Sequence, residues 1–514
     1  MDKSQRKVGV VLSYITLLFQ LVLGFVYVPL FIHFLGEDEY GLYQLIGSFT
    51  AYLSIMDFGL SATIIRYYSK YKAENNRENM ENVLSLSTMI YSVITVLIII
   101  AGVILYHIFD PVLSGDMSQE MIVRARQILI VVIFNMAITI PTKIFNAVII
   151  SYEKFIFLRL ITLIQIVTQP VFLILVLSHM PTAMGIVAVQ TGLNIAIILA
   201  QIYYCLRKLN MKIRFHHFDS GLFRSMLQFS MYTFIGALMD QVFWQSNKVI
   251  MNVAVSTAAV GMYGAALTIF LNYQSLSTAI TSVFLPNVTE RVTHNAPPKE
   301  LSDMLIRIGR IQALLMFCVL SGFTVFGQQF IGLWLEKSYA DAYWIVLFLI
   351  APITIDLIQN IGITILQASN KLAFRSISFL VIAVVSILIA IPVAREFGAV
   401  GAALVTGIAC LVSNIILNIY YKKEMKLEIG RYWKEVAPII LFSVVTGFGG
   451  VLLNQVPLPN SYFGLLIKII IYVIIYALGL WFFIMNSYEK EIFGGIISKI
   501  TRKFIKKSSF ADRL

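Results

Sequence analysis

Charged residues lie inside segments of the chain that are otherwise almost wholly apolar, among them Asp57, Lys143, Asp240, Lys248 and Asp356. A charge at the centre of a bilayer costs about 2.5–3.5 kcal/mol on insertion scales, so it nearly always faces the interior of a helix bundle or a wet cavity. Charges in such places mark ion pathways, substrate pathways and proton relays. We therefore predict that these residues face one water-filled chamber, with Asp57, Asp240 and Asp356 as its acidic side chains.

Uncharged polar residues accompany these charges at helical spacing. One such stripe consists of Thr50, Ser54, Asp57 and Ser61. Spacings of three and four residues place the stripe on one face of a helix. The alternative is that polar stripes form hydrogen bonds between packed helices. The polar residues that we assign to the chamber are Gln20, Asn135, Asn146, Gln241, Asn247, Asn272, Gln359 and Asn360.

The segments that carry these residues are long enough to cross a membrane. Only 13% of the 514 residues are charged and 59% are hydrophobic, whereas soluble proteins carry about 25% charged residues. The chain is therefore predicted to be an all-α, polytopic membrane protein. A helix of about 20 apolar residues crosses the hydrocarbon core. This rule predicts fourteen spans, at approximately 8–34, 41–66, 83–109, 125–150, 158–178, 183–205, 226–252, 257–284, 304–330, 340–368, 372–394, 398–421, 434–454 and 462–486.

The distribution of lysine and arginine predicts the orientation of these spans. If the N-terminus is cytoplasmic, 32 of the 39 Lys and Arg residues fall in or beside inside segments, four in outside loops and three within spans. Positive residues concentrate on the cytoplasmic side of membrane proteins. Both termini are therefore predicted to be cytoplasmic, and the net charge of +12 reflects topology rather than nucleic-acid binding.

Weak internal similarities at offsets of 215–220 residues predict a repeat. Examples are "YGLY" at 40–43 with "VGMY" at 260–263, and "AVQTG" at 188–192 with "ALVTG" at 403–407. The repeat predicts two six-helix lobes of like orientation, with the substrate site between them. The predicted divisions are residues 1–210 (spans 1–6), 211–425 (spans 7–12), 426–486 (spans 13–14) and 487–514. The last is predicted to be a basic amphipathic helix that binds anionic membrane lipids, with a solvated basic tail as the alternative.

Several kinds of chemistry lack their sequence signals. The chain has no GxxxxGK[ST] phosphate loop, no HExxH motif and no paired Cys/His spacing, and its outside loops are short. We therefore predict a transporter rather than an enzyme, with no cofactor and no bound metal other than a coupling ion, H⁺ or Na⁺.

Two stretches resemble a known family. "GEDEYGLYQLI" at 36–46 resembles the Gly-x-x-x-Tyr-Gly-x-x-x-Leu entry to span two of the Wzx-type polysaccharide flippases, which belong to the multidrug/oligosaccharidyl-lipid/polysaccharide exporter superfamily. "MDFGLSATIIRYYSKY" at 56–71 resembles the Asp-x-Gly-Leu motif of that family with its following arginine. The family has twelve to fourteen spans in two six-helix lobes, and the whole chain fits this arrangement.

The resemblance implies a substrate and a binding chemistry. The substrate would be an undecaprenyl-diphosphate-linked oligosaccharide, flipped from the inner to the outer leaflet of the bacterial cytoplasmic membrane by alternating access for surface polysaccharide assembly. Such flippases have a cationic cavity for the diphosphate and sugar. The matching cations here are Arg66, Lys143, Lys154, Lys248, Arg159 and Arg375. Implied partners are a glycan polymerase and glycosyltransferases, with no nucleic acid, and we expect a monomer.

Arg66 has a second interpretation. On a continuous helix it lies about 180° from Asp57, nine residues before it, and Lys70 and Lys72 follow it at the cytoplasmic end. Arg66 is therefore either a cation at the mouth of the chamber or a positive-inside anchor.

Two other functions stay open. A drug or cation antiporter of the same superfamily would use acidic residues for cationic substrates, and Lys143 and Lys248 argue against it. A scaffold in an envelope-assembly complex would depend on the basic tail.

Overall fold

The computed structural model describes residues 3–109, 117–294, 296–369 and 371–495, and within these ranges it contains helices and no strands. This agrees with the predicted all-α class. Short 3₁₀ turns at Ile55–Asp57 and Lys337–Tyr339 and a π turn at Leu480–Ile484 interrupt or extend the helices. The α-helices are α1 (Lys3–Ser54), α2 (Leu60–Ala73), α3 (Arg77–Ile108), α4 (Gln119–Ser151), α5 (Phe155–Leu177), α6 (Ala183–Arg207), α7 (Ser220–Ala254), α8 (Thr257–Thr293), α9 (Pro298–Trp334), α10 (Ala342–Ile358), α11 (Asn360–Ala368), α12 (Leu372–Lys423), α13 (Ile429–Asn454) and α14 (Tyr462–Gly479).

The two longest helices each contain a kink at a glycine. In α1 the chain bends at Gly36 (φ 75°), and in α12 it bends at Gly398 (φ 62°). The first kink falls between predicted spans one and two, and the second is at the first residue of predicted span twelve. Ten helical ranges within the described residues are long and apolar enough to cross a membrane, judged by length and composition. The count of fourteen spans and the cytoplasmic position of both termini stay predictions.

Contacts divide the chain into two compact units. The first consists of Met1–Asn272 and Ser376–Thr406. Within it α3 packs on α4, α4 on α6, and α1 on α5 and α7. Side chains cap several of its helices: for example, Asn76 accepts a hydrogen bond from the Asn79 amide (3.0 Å) and begins α3, and Asp219 accepts one from the Leu222 amide (2.9 Å) and begins α7. Such caps satisfy amides that have no partner within the helix.

The second unit consists of Tyr273–Arg375 and Gly407–Leu514, and α9 packs in it against α13, α10 and α14. A buried ion pair joins α9 to the segment after α14: Arg310 Nε and Nη2 donate to the two carboxylate oxygens of Glu489 at 2.7 and 3.1 Å. The Asn486 amide also donates to Glu489, and the Asn486 side chain accepts from the Glu489 amide. This reciprocal capping begins a helix over 487–495.

The two units are defined by contacts, whereas the lobes 1–210 and 211–425 are defined by a sequence repeat. The lobe boundaries, with 426–486 as a pair of extra spans, therefore stay predictions. Of the tail predicted at 487–514, residues 496–514 lie outside the described residues.

Candidate substrate-transport site

The second apolar segment, predicted as the span 41–66, breaks in its middle at the Asp-x-Gly-Leu motif (57–60). Helix α1 ends at Ser54, a 3₁₀ turn covers Ile55–Asp57, and α2 begins at Leu60. Phe58 (φ 49°) and Gly59 (φ 69°) between them are left-handed. A phenylalanine is uncommon in this conformation, and its ring packs on Phe234 of α7 with centroids 4.6 Å apart. The prediction of one continuous helix over 41–66 is therefore wrong at this point, and the 180° relation between Asp57 and Arg66 does not apply.

Asp57 lies at this break and has partners on three helices. Its Oδ1 accepts hydrogen bonds from Tyr91 of α3 (3.0 Å) and Ser61 of α2 (3.1 Å). Lys143 Nζ of α4 is 3.6 Å from the same oxygen. Two hydrogen bonds and an ammonium group offset the cost of burying the carboxylate. The Asp57 side chain is 13% exposed and that of Lys143 is 33% exposed, so the lysine remains accessible to a ligand.

Three predicted cations lie in the middle of α2 and at the start of α5. The guanidinium carbon of Arg66 is 4.7 Å from the ring centroid of Phe229 in α7, and Arg66 is exposed. Lys154 immediately precedes α5 and is half-buried, and Arg159 in the first turns of α5 is exposed. These positions suit attraction of an anion from solution, because all three charges remain at least partly accessible.

Lys248 is buried in α7 and forms a hydrogen bond with a residue of the family-like motif at 36–46. Its Nζ donates to Gln44 Oε1 at 3.0 Å, and Gln44 Nε2 donates to the buried Tyr40 hydroxyl at 2.7 Å. A β-carbon at Gly41 would lie 1.9 Å from the Thr257 carbonyl oxygen of α8. The Tyr-Gly pair of the motif therefore has a physical reason: the glycine lets α1 approach α8, and the tyrosine positions the glutamine that binds Lys248.

Two amide oxygens on α7 are buried and have no partner within the described part of the structure. Gln241 Oε1 and Gln245 Oε1 have no hydrogen-bond partner among the residues that the structure describes. They lie four residues apart, which places them on one face of the helix. Most buried polar atoms in proteins have a partner, so two such oxygens on one face need an explanation. Both can accept a hydrogen bond from a ligand hydroxyl.

The neighbouring predicted residues on α7 and α8 differ in their surroundings. Asn247 is buried and donates to the hydroxyls of Tyr263 (3.0 Å) and Thr406 (2.8 Å). Asn272 is half-buried. The side chain of Asp240 lies outside the described part of the structure, although its backbone is helical.

Some of the polar residues predicted to face the chamber instead form hydrogen bonds between helices. Asn194 of α6 donates to Asn135 Oδ1 (2.8 Å) and Thr139 Oγ1 (2.6 Å) of α4. Asn135 therefore acts as an interhelical hydrogen-bond partner, the alternative considered for these stripes. Asn146 is half-buried on the same helix, and Gln20 is exposed on α1.

In the second unit, Asp356 and Arg375 form an ion pair with atoms 4.0 Å apart and side chains 19% and 18% exposed. Gln359 is buried and exchanges two hydrogen bonds with Asn418, at 2.9 and 3.0 Å. It lies at the junction of α10 and α11, next to the half-buried Asn360. The predicted acid thus has a nearby cation, and the predicted glutamine joins helices.

Sequence reasoning missed three partners, Tyr91, Gln44 and Asn194, and it missed the ion pair Arg310–Glu489. Tyr91 is a polar group inside an apolar segment, and Gln44 lies within the quoted motif, so both carried a weak signal. No group of three or more His, Cys, Asp or Glu that could hold a metal occurs within the described ranges.

The sequence matches the family model described as polysaccharide biosynthesis protein over residues 7–291, more than half of the chain. The chain belongs to this family. The matched region contains both motifs, the break at Asp57, Lys143 and Lys248, and the predicted family is confirmed.

A relative identified by sequence similarity agrees with this assignment. Over 232 residues the chain is 21% identical to a protein of Haloferax volcanii described as the probable low-salt glycan biosynthesis flippase Agl15. That match covers 44% of this chain, and it spans about half (48%) of the relative's length.

Solved structures confirm the predicted fold. The lipid II flippase MurJ in an inward closed conformation matches with a TM-score of 0.71 and 16% identity, over 92% of this chain and 97% of that one. An inward-facing multidrug transporter of the MATE family, of the MOP superfamily, matches with a TM-score of 0.64 and 12% identity, over 80% and 94%. At these identities the likeness concerns the fold. The named relatives are flippases and transporters, which agrees with a transporter rather than an enzyme.

Proposed function

We propose that this family member is a flippase that moves an undecaprenyl-diphosphate-linked oligosaccharide from the inner to the outer leaflet of the bacterial cytoplasmic membrane. The observation that carries the proposal is Lys143: a cation in the middle of the family-matched region, held by Asp57 at a helix break, yet one-third exposed. A diphosphate can replace Asp57 as its partner, because charge-assisted hydrogen bonds to phosphate are among the strong ones.

The other residues take complementary roles in this proposal. Arg66, Lys154 and Arg159 attract the diphosphate at the cytoplasmic side, where they are accessible. The unpaired oxygens of Gln241 and Gln245 accept hydrogen bonds from sugar hydroxyls. The hydrophobic chain of the substrate stays among apolar surfaces, so only the polar head crosses the wet path.

The break at 55–59 gives the second segment a hinge for alternating access. Phe58 and Gly59 are the left-handed residues there, and hinges are commonly a few residues that absorb large changes of φ and ψ. Loss of the Lys143–Asp57 contact on substrate binding would free the break to change its angle. Lys248 keeps α7 attached to the first motif through Gln44.

We further propose that H⁺ or Na⁺ drives the cycle through Asp240 or Asp356. Asp356 has Arg375 at 4.0 Å as its partner, so binding of a proton or Na⁺ would compete with this pair. The test is transport by Asp240→Asn and Asp356→Asn under imposed H⁺ and Na⁺ gradients. Undiminished gradient dependence in both variants would refute this coupling and leave the flippase proposal standing.

The direct test uses proteoliposomes that contain a labelled undecaprenyl-diphosphate-linked oligosaccharide. Protein-containing vesicles should expose the inner-leaflet glycan to an impermeant glycosidase, whereas protein-free vesicles should not. If the protein leaves the lipid in place and instead moves a cationic dye along an ion gradient, it is an antiporter. Removal of residues 496–514 tests the scaffold alternative, since a flippase retains transport without them.

A further inference from the structure

Two apolar cavities lie in the first unit, one on each side of the break in the second apolar segment. The first, of about 580 Å³, is lined by Phe49 and Leu53 of α1, by the end of α3 and by Val249 and Ile250 of α7. The second, of about 390 Å³, is lined by Phe58 and Leu60, by the middle of α3 and by the beginning of α7. The second apolar segment, α3 and α7 therefore all contribute residues to the lining of both cavities.

The few polar atoms of these cavities are already paired. Tyr52 and Ser246 line the first cavity, and their hydroxyls are 2.8 Å apart. Ser230 lines the second, and its hydroxyl is 2.7 Å from that of Thr63. With these groups satisfied by each other, the cavities offer a ligand mainly hydrocarbon surface.

A stripe of exposed apolar side chains on α3 connects the two cavities. The stripe consists of Met89, Val93, Leu97, Ile100, Ile104 and Ile108, each 41–61% exposed. Spacings of three and four residues place them on one helix face. Met89 and Val93 line the second cavity, and Ile104 and Ile108 line the first. From Met89 to Ile108 the helix rises by about 29 Å, close to the thickness of about 30 Å of the whole hydrocarbon core.

This length decides between possible occupants. A phospholipid acyl chain belongs to one leaflet and needs about half of that thickness. The cavities and the stripe continue past the break, so they suit one apolar chain longer than a leaflet. A cation lies near one end: Arg66 is over the ring of Phe229, the neighbour of the cavity residue Ser230. A long isoprenoid chain with a diphosphate head matches both the length and the charge.

We propose that α3, α7 and the second apolar segment form a lateral groove that binds the polyprenyl chain of the lipid-linked substrate. This groove rests on the proposed flippase function and adds the place where the chain is held. The diphosphate lies at the Arg66 end, and the chain follows the α3 stripe past the break. Because Asp57 and Lys143 meet at this break, chain and head bind on elements that share one hinge.

The experiment is photo-crosslinking of radiolabelled undecaprenyl diphosphate in phosphatidylglycerol vesicles containing the full chain. The photoreactive residue p-benzoylphenylalanine replaces Val93, Ile104 or Ile99 in separate proteins. Ile99 is the matched control, because it is exposed (45%) on the same helix but lines neither cavity. We expect saturable labelling from positions 93 and 104, removed by unlabelled undecaprenyl diphosphate and not by additional phosphatidylglycerol, and no saturable labelling from position 99.

Equal, unsaturable labelling at all three positions would mean contact with bulk lipid only and would overturn the groove, as would absent labelling at 93 and 104. A second measurement uses Ile104→Trp and Ile99→Trp in the flipping assay, with thermal unfolding as a check of folding. We expect loss of flipping in the first and wild-type flipping in the second, and a folded Ile104→Trp protein that flips normally would contradict the proposal. A third outcome is saturable labelling at 93 and 104 while the wild-type protein moves no oligosaccharide in the flipping assay. That outcome would refute the proposed function and retain the groove.

Discussion

The contact between Asp57 and Lys143 allows the structural role of Lys143 to be separated from its proposed role in transport. Replacing Lys143 with Met removes the ammonium group and retains much of the side chain's apolar bulk. Asp57 then keeps its hydrogen bonds from Tyr91 and Ser61 but loses its cation. We expect Lys143→Met to lower both stability and transport, for two different reasons.

The stability effect follows from the geometry. Charges 3.6 Å apart attract by about 4–5 kcal/mol at an effective dielectric constant of about 20. Lys143 is one-third exposed, so solvent screening and the desolvation of Asp57 reduce the net coupling to about 1–2 kcal/mol. The double variant Asp57→Asn/Lys143→Met leaves no buried unpaired charge and should recover most of the lost stability.

Transport should behave differently. If Lys143 binds the diphosphate, both Lys143→Met and the double variant should fall to the level of protein-free vesicles, whereas Lys143→Arg, which keeps a cation able to bind phosphate, should retain transport. The exposed Lys299, changed to Met, serves as the control and should be unaffected. The assays are thermal unfolding in detergent and oligosaccharide flipping in proteoliposomes. Recovery of transport along with stability in the double variant would refute the substrate role of Lys143.

Two further predictions concern packing and a buried charge. Gly41→Ala places a β-carbon against a backbone carbonyl of α8 and should cost about 1–3 kcal/mol in stability. The control Gly47→Ala, on the same helix, meets nothing within 4 Å and should be neutral. Equal unfolding midpoints for the two variants would contradict the close approach of α1 to α8. Glu489→Gln leaves Arg310, whose side chain is 6% exposed, without its buried carboxylate and should cost about 3 kcal/mol. The exposed Glu491, changed to Gln, should have little effect on thermal unfolding, and a Glu489→Gln protein as stable as this control would show that the pair contributes nothing.

The fold was largely predictable because its signals are local. Apolar length and the sparse charges indicated membrane-spanning helices. Gly36 falls between predicted spans one and two, and Gly398 is the first residue of predicted span twelve. The break after Ser54 was not predicted, although Gly59 follows Asp57 closely. A periodic pattern continues through a short break, since Ser61 still reaches Asp57 from the next helix.

The polar residues of the site were identified by type and spacing, but their roles were not. Asn135 and Gln359 form hydrogen bonds between helices, whereas Gln241 and Gln245 have oxygens that are unpaired within the described ranges. Each is an amide inside an apolar segment, so spacing cannot distinguish these outcomes. The distinction depends on which residue of another helix lies within hydrogen-bond distance.

The sequence by itself determined the class of protein, the family and the presence of charges inside the membrane, because these depend on composition and on residues near one another in the chain. Only the tertiary structure decided the partners of those charges. Asp57 meets Lys143 and Tyr91 from two other helices, and Arg310 meets Glu489 from 179 residues away. Burying a charge requires a partner at a few ångströms, and which residue is at that distance depends on helix packing rather than on position in the sequence.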